Sequence, residues 1–279
     1  MRRAAPSNTS EKQLPWTEAN GISIHYNIAG DGPSVVLLHE LGGTLDSWDQ
    51  VAPGLRRNYR VLRYDQRGAG LSEKVRQEFG NDTQVDDLEA MLRAVELKPP
   101  YRFVTVAAAA TQVLAFVQRH PEQVASLVFC NPAPGVDPSR AGQLDERAAF
   151  ASREGMRAAL SITLDRSYPA DLGHRAVYEA YRGRYLANDP VCFGFMNRAL
   201  ARSNMTSALA DIRCPAMVVA GRQDNVRPAA VSEELANKIP GARFELIDSG
   251  HFMPSTAPAA LLALLQDFFG AAGAAAGKQ

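Results

Sequence analysis

The sequence is short of cysteine, of net charge and of long apolar runs, and each shortage removes a class of function. Three cysteines, Cys130, Cys192 and Cys214, are scattered over 279 residues. None forms a CxxC or a Cys/His ligand spacing, so neither a disulfide framework nor a zinc site is expected. This cysteine usage fits a reducing, cytoplasmic compartment. Lys plus Arg is 30 and Asp plus Glu is 30. That balance gives no electrostatic reason to expect nucleic acid or an anionic membrane as partner. No apolar run approaches the roughly 18–20 residues that span a bilayer. Met1-Arg2-Arg3 is followed by polar residues and not by an apolar signal region. There is no dinucleotide fingerprint and no P-loop, so no cofactor and no metal is expected.

What is present is an ordinary globular composition, 46% hydrophobic and 22% charged, in a chain of one-domain size. The segment Ile22–Ala29 alternates apolar and polar residues and predicts an antiparallel strand. Ser34–His39 and Arg102–Val106 are short apolar runs of the kind buried on both faces of a parallel sheet, and Arg60–Asp65, Ser126–Cys130, Pro215–Ala220 and Arg243–Ile247 read as further strands. Helical patterning lies between them: a weak segment from about Ser47, a strong one over Thr83–Leu97, then Ala108–His120, Ala229–Ile239 and Ala257–Phe269. Such alternation predicts an α/β fold with a mainly parallel central sheet flanked by helices. After the Cys130 strand the alternation stops. Residues 134–211 carry helical patterning only and are expected to form a cap inserted into a core of residues 13–133 and 212–270. Residues 1–12 and the Gly/Ala-rich tail, 271–279, are expected to be loose ends. The inserted stretch holds Tyr168, Tyr178, Tyr181, Tyr185, Phe193 and Phe195, which either pack its helices together or line a pocket beneath it.

Four motifs follow one another, each at a predicted strand end: LLHELGG at Leu37–Gly43, DQRGAGLS at Asp65–Ser72, AGRQDNVRP at Ala220–Pro228 and DSGHFMP at Asp248–Pro254. Over roughly residues 15–270 the chain resembles the α/β-hydrolase superfamily, and within it small-molecule hydrolases such as 3-oxoadipate enol-lactonases. The resemblance implies a general base at His251 and an orienting acid at Asp224. It also implies an oxyanion hole made by the main-chain N–H groups of Leu41 and Ala108, with Asp65 and Arg67 tying loops together. His39, Glu40 and Trp48 are assigned to substrate contact. Glu40 departs from the glycine many relatives carry. It is either a second acid–base group facing the pocket, or a side chain turned away or paired with an arginine.

The resemblance also shows what is missing. Its nucleophile serine belongs in a G-x-S-x-G elbow between strand and helix. Here the chain reads Thr105-Val106-Ala107-Ala108-Ala109, and Ala107 falls on the serine position. Its turn either keeps the left-handed conformation of such elbows, at roughly 1–2 kcal/mol of strain, or relaxes. Thr111, Ser126 and Cys130 offer no convincing replacement. The expectation is an enzyme acting on a small ester, lactone or keto acid by His–Asp general base catalysis, its substrate carrying a carboxylate or carbonyl, the protein a monomer or homodimer. The alternatives are a catalytically silent small-molecule binding protein and a cofactor-free lyase or isomerase.

Overall fold

The computed structural model describes residues 15–168, 172 and 174–276. Its centre is one eight-stranded sheet built from β1 (Trp16–Ala19), β2 (Ile22–Ala29), β3 (Ser34–Leu38), β4 (Arg60–Tyr64), β5 (Tyr101–Val106), β6 (Val124–Cys130), β7 (Ala216–Gly221) and β8 (Arg243–Ile247). The spatial order is β1-β2-β4-β3-β5-β6-β7-β8. β2 runs antiparallel to β4, and β3 to β8 are mutually parallel. The fold is therefore the α/β architecture expected from the alternating pattern. β1 has no counterpart in that expectation: it is short, edge-placed, and pairs only with β2.

The helices among the described residues are α1 (Ala52–Leu55), α2 (Asn81–Ala94), α3 (Ala110–Arg119), α4 (Pro138–Glu154), α5 (Met156–Ala159), α6 (Leu164–Ser167), α7 (Arg175–Leu186), α8 (Pro190–Ala201), α9 (Ala229–Ala236), α10 (Met253–Thr256) and α11 (Pro258–Ala276). Between β6 and β7 the described chain is helical throughout apart from its loops and one isolated bridge, Gly135 to Asn204. The weak helix expected from Ser47 resolves into a single 3₁₀ turn, Leu45–Trp48, capped by Thr44, and the one-turn α1. The tail departs further from expectation. α11 continues to Ala276 rather than ending before Gly270, because alanine is the strongest helix former and outweighs the interspersed glycines. Residues 1–12 lie outside the described residues. No described helix is long and apolar enough to cross a membrane.

Period-two side-chain alternation sorts the strands into two cores. Val36, Leu38, Leu62, Phe103, Leu127 and Val218 face α2, α3 and α9 through Leu88, Val113, Phe116 and Leu235. Val35, Leu37, Val61, Val104, Val128 and Val219 face the opposite way, onto Val51, Leu55, Leu261, Leu265 and Phe269. Burial on both faces explains why β3, β5, β6 and β7 read as unbroken apolar runs. It also leaves the carboxyl ends of these strands as the place where polar residues can gather.

Candidate functional site

Five loops leave the carboxyl ends of β3, β5, β6, β7 and β8, and their residues meet around one cavity of about 310 Å³. His251 follows β8. Its Nδ1 lies 2.6 Å from Asp224 Oδ2, and both side chains are buried. Asp224 uses its two oxygens differently. Oδ1 accepts from the main-chain N–H of Val226 at 2.7 Å and of Arg227 at 2.8 Å, which is the Asx-type turn of this loop. Oδ2 is left for the imidazole. A carboxylate on Nδ1 fixes the tautomer that carries the Nε2 lone pair, and His251 lines the cavity.

Two further groups hold this arrangement. Asn131, immediately after β6, donates from Nδ2 to the carbonyls of Gly250 at 3.1 Å and His251 at 2.9 Å, while its Oδ1 accepts from Gly221 N–H at 2.8 Å. One buried amide thus joins β6, the end of β7 and the histidine loop. Gly221 permits the approach: a Cβ there would sit 2.5 Å from the Ser249 carbonyl oxygen. Sequence reading did not single out Asn131. Its only signal was a polar residue at the end of an apolar strand before proline.

Ala107 occupies the turn from β5 into the helical segment that continues as α3. Its φ is +49°, left-handed backbone that costs an alanine roughly 1–2 kcal/mol. Of the two conformations open to this turn, the strained one is present. Ala107 and Ala108 line the cavity with His251. The Ala107 carbonyl accepts from Ala133 N–H at 3.0 Å, which ties the turn to the strand beside it. Ala108 contributes a first-turn N–H that no carbonyl of its own helix can reach. Leu41, after β3, also lines the cavity, and its amide has no main-chain partner among the described residues. Thr105 is fully buried and does not reach the cavity, and Thr111 Oγ1 donates to the Ala108 carbonyl.

Glu40 lines the cavity and is buried. Its Oε1 accepts from Ser47 Oγ at 2.7 Å and from Tyr181 Oη at 2.6 Å, and Oε2 has no partner. It is neither turned away nor paired with an arginine. Burial, together with the Glu40 charge, pushes the Tyr181 hydroxyl well above its ordinary value, so it stays a neutral donor. Gly43 leaves room for this carboxylate: a Cβ there would lie 2.3 Å from Glu40 Oε1.

Two assignments to substrate contact need correction. His39 does not line this cavity: Nδ1 donates to the Glu40 carbonyl at 2.8 Å, and Nε2 accepts from Gln66 N–H at 3.1 Å. Both ring nitrogens are spent on backbone, so the residue shapes the loop after β3. Trp48 is fully buried in the core among Val35, Leu37 and Val51 and does not reach the cavity either. Its 3₁₀ turn is anchored by Asp65, whose Oδ1 accepts from Leu45 N–H at 2.7 Å and whose Oδ2 accepts from His25 Nδ1 and Leu71 N–H at 2.8 Å each. Burial raises the Asp65 carboxyl, but these hydrogen bonds outweigh it and hold the group below its ordinary value. Arg67 binds Asp87 with two hydrogen bonds, 2.8 and 2.6 Å. Of the aromatic residues between β6 and β7, Tyr185 lines the cavity, while Tyr168, Tyr178, Tyr181, Phe193 and Phe195 are buried in the packing around it. Cys130 is fully buried, which pushes its thiol far above the ordinary value and leaves it unreactive.

The chain is similar in sequence to a Caulobacter sp. (strain K31) protein named as a carbamate hydrolase, RutD, at 29% identity over 251 residues, covering 88% of this chain and 93% of that protein. It is similar in structure to the enol-lactonase of Burkholderia xenovorans LB400, with a TM-score of 0.85 and 27% identity over 91% of this chain and 99% of that one. An esterase of Thermogutta terrifontis shares the fold, with a TM-score of 0.86 at 22% identity over 92% of this chain and 97% of that one. A family profile described as the alpha/beta hydrolase fold matches residues 33–258, and the chain therefore belongs to the α/β-hydrolase family.

Proposed function

We propose that this protein is an enzyme that acts on a small ester, lactone or keto acid, with His251 as general base, Asp224 as its orienting acid and Ala107 where relatives of this fold carry a serine nucleophile. The observation that carries the reading is the His251–Asp224 pair, 2.6 Å apart, opening on the same cavity as an elbow that has no oxygen. Without Oγ at residue 107, an acyl-enzyme cannot form there. The other hydroxyls of Ser and Thr residues lining the cavity are committed: Thr163 Oγ1 donates to the Ala159 carbonyl and Ser167 Oγ to the Thr163 carbonyl.

In this reading Nε2 of His251 takes a proton from water as the water oxygen adds to the substrate carbonyl. The electron pair of the C=O bond moves to oxygen, where the N–H groups of Leu41 and Ala108 receive it. Collapse of that adduct breaks the bond to the leaving group, which takes the proton back from Nε2. General base catalysis contributes roughly 10²–10⁴-fold, and one preorganised oxyanion donor roughly 10²–10³-fold. Those contributions remain when the nucleophile is gone. The same base and oxyanion donors serve an enolate, so a lyase or isomerase step uses this site without change. The missing oxygen at residue 107 favours a second reading, a silent binding protein.

The test is labelling and turnover on one preparation. The protein is expected to resist a fluorophosphonate probe while turning over p-nitrophenyl butyrate or a small lactone, with kcat/KM lowered about 10²–10⁴-fold in His251→Ala. Labelling of the unmodified protein, or full activity in His251→Ala, would overturn the proposal.

A further inference from the structure

Three arginines, Arg140, Arg147 and Arg227, line the cavity. α4 presents Arg140, Gln143, Leu144 and Arg147 to it, a spacing of three, four and seven residues that marks one helix face. Arg227 enters from the loop after β7, its own N–H held by Asp224. Among the described residues none of the three has a carboxylate within salt-bridge distance. Their neighbours do: Arg184 has Asp46, and Arg198 and Arg202 have Glu78.

The two carboxylates that line the cavity are not within salt-bridge distance of these arginines, although Glu40 Oε2 has no partner among the described residues. Asp137 caps α4 by accepting from Ser139 N–H at 2.8 Å and Ser139 Oγ at 2.7 Å. Glu40 accepts from Ser47 and Tyr181. Among the described residues Arg147 donates once, from Nε to Asn197 Oδ1, and Arg227 Nε is buried with no acceptor. Burial lowers both guanidiniums from their ordinary value; Tyr185 partly offsets this at Arg147 and Asp224 at Arg227, while Arg140 lowers both by repulsion. Arg147 and Arg227 are partly buried and Arg140 is exposed; partly buried cations with no carboxylate in salt-bridge contact among the described residues are costly to hold, and a bound anion lowers that cost.

We infer that Arg140, Arg147 and Arg227 form a recognition set for the carboxylate of an organic acid, held in the same cavity as His251. The inference rests on the reading of that cavity as the active site. Guanidinium matches a carboxylate with two parallel hydrogen bonds. Leu144, Leu200, Val226, Val231 and Phe252 line the remaining space and suit a carbon skeleton rather than a bare inorganic ion. The acid would thereby be anchored at α4 and the loop before α9, with its reacting carbonyl towards Ala108.

Calorimetric titration of the full chain with butanoate, hexanoate and octanoate, each against its carboxamide, tests this without any turnover. At least one carboxylate is expected to bind about tenfold or more tightly than its amide, the scale of a charge-assisted hydrogen bond. Arg147→Gln and Arg227→Gln should each remove most of that preference, and Arg147→Lys and Arg227→Lys should recover part of it. Equal binding of acid and amide, no heat from either at millimolar concentration, or inorganic phosphate binding as tightly as the acids would overturn the inference. The acid–amide comparison uses unmodified protein, so a variant that misfolds does not decide it. Arginine-dependent binding of the acid without His251-dependent turnover would keep this inference and sink the catalytic reading. Turnover with charge-indifferent binding would do the reverse.

Discussion

The elbow at Ala107 and the loop of His251 lie at the ends of β5 and β8 and share one cavity, yet they differ in what they present to it. The histidine loop keeps every group needed to hold a base: Asp224 on Nδ1, Asn131 on its carbonyls, and Gly221 giving it room. The elbow carries no side-chain oxygen at residue 107, and its turn is left-handed, with φ of +49°. A turn that presents no hydroxyl has no nucleophile to gain from strain at that residue. The next residue, Ala108, lines the cavity with it. The contrast teaches that the elbow's backbone and its side chain are separable, and that this protein retains the backbone.

Restoring the side chain is the largest perturbation of that comparison. Ala107→Ser should place Oγ beside His251 Nε2, label stoichiometrically with a fluorophosphonate, and give a burst with p-nitrophenyl esters. A folded variant with neither burst nor label would show that the elbow is misaligned, since a displacement near 1 Å costs about 10²-fold. A smaller effect is expected from the other side. Asn131→Ala orphans Gly221 N–H and the His251 carbonyl, while the Gly250 carbonyl keeps Ser249 Oγ as donor, so it should lower stability by about 1–3 kcal/mol and reduce kcat about tenfold by loosening His251. An unchanged denaturation midpoint and rate would remove Asn131 from the account. The smallest effect is at the elbow's backbone. Ala107→Gly relieves the left-handed strain but adds flexibility to the unfolded chain, for a net gain of roughly 0.5–1 kcal/mol, or about 1–4 °C in Tm. A lower Tm would mean that the methyl group's packing outweighs the strain.

Much of this was legible in the sequence because it depends on local pattern. Period-two alternation in Ile22–Ala29 marks the antiparallel strand beside the parallel part of the sheet, and the apolar runs of β3, β5, β6 and β7 mark its interior. The order of four loop motifs brings His39, Asp65, Asp224 and His251 to one edge of the sheet. The missing oxygen at residue 107 is a fact of composition. Other features were not legible. His39 was placed in the pocket because its motif lies at a strand end. Whether a histidine faces substrate or backbone is set by which carbonyls and N–H groups surround its ring, and Gln66 lies 27 residues away.

The sequence by itself determined the alternation of strands and helices, the helical interruption after β6, the candidate base and its acid, and the absence of a hydroxyl at the elbow. Each follows from side-chain chemistry and short-range spacing. Only the tertiary structure decided that Ala107 is left-handed, that Asn131 links three strand ends, that Glu40 is held by Ser47 and Tyr181, and that three arginines line one cavity with no carboxylate of the described residues within salt-bridge distance. These are outcomes of long-range packing. A hydrogen bond or an unpaired charge is a relation between residues far apart in the chain, and spacing along the sequence does not contain it.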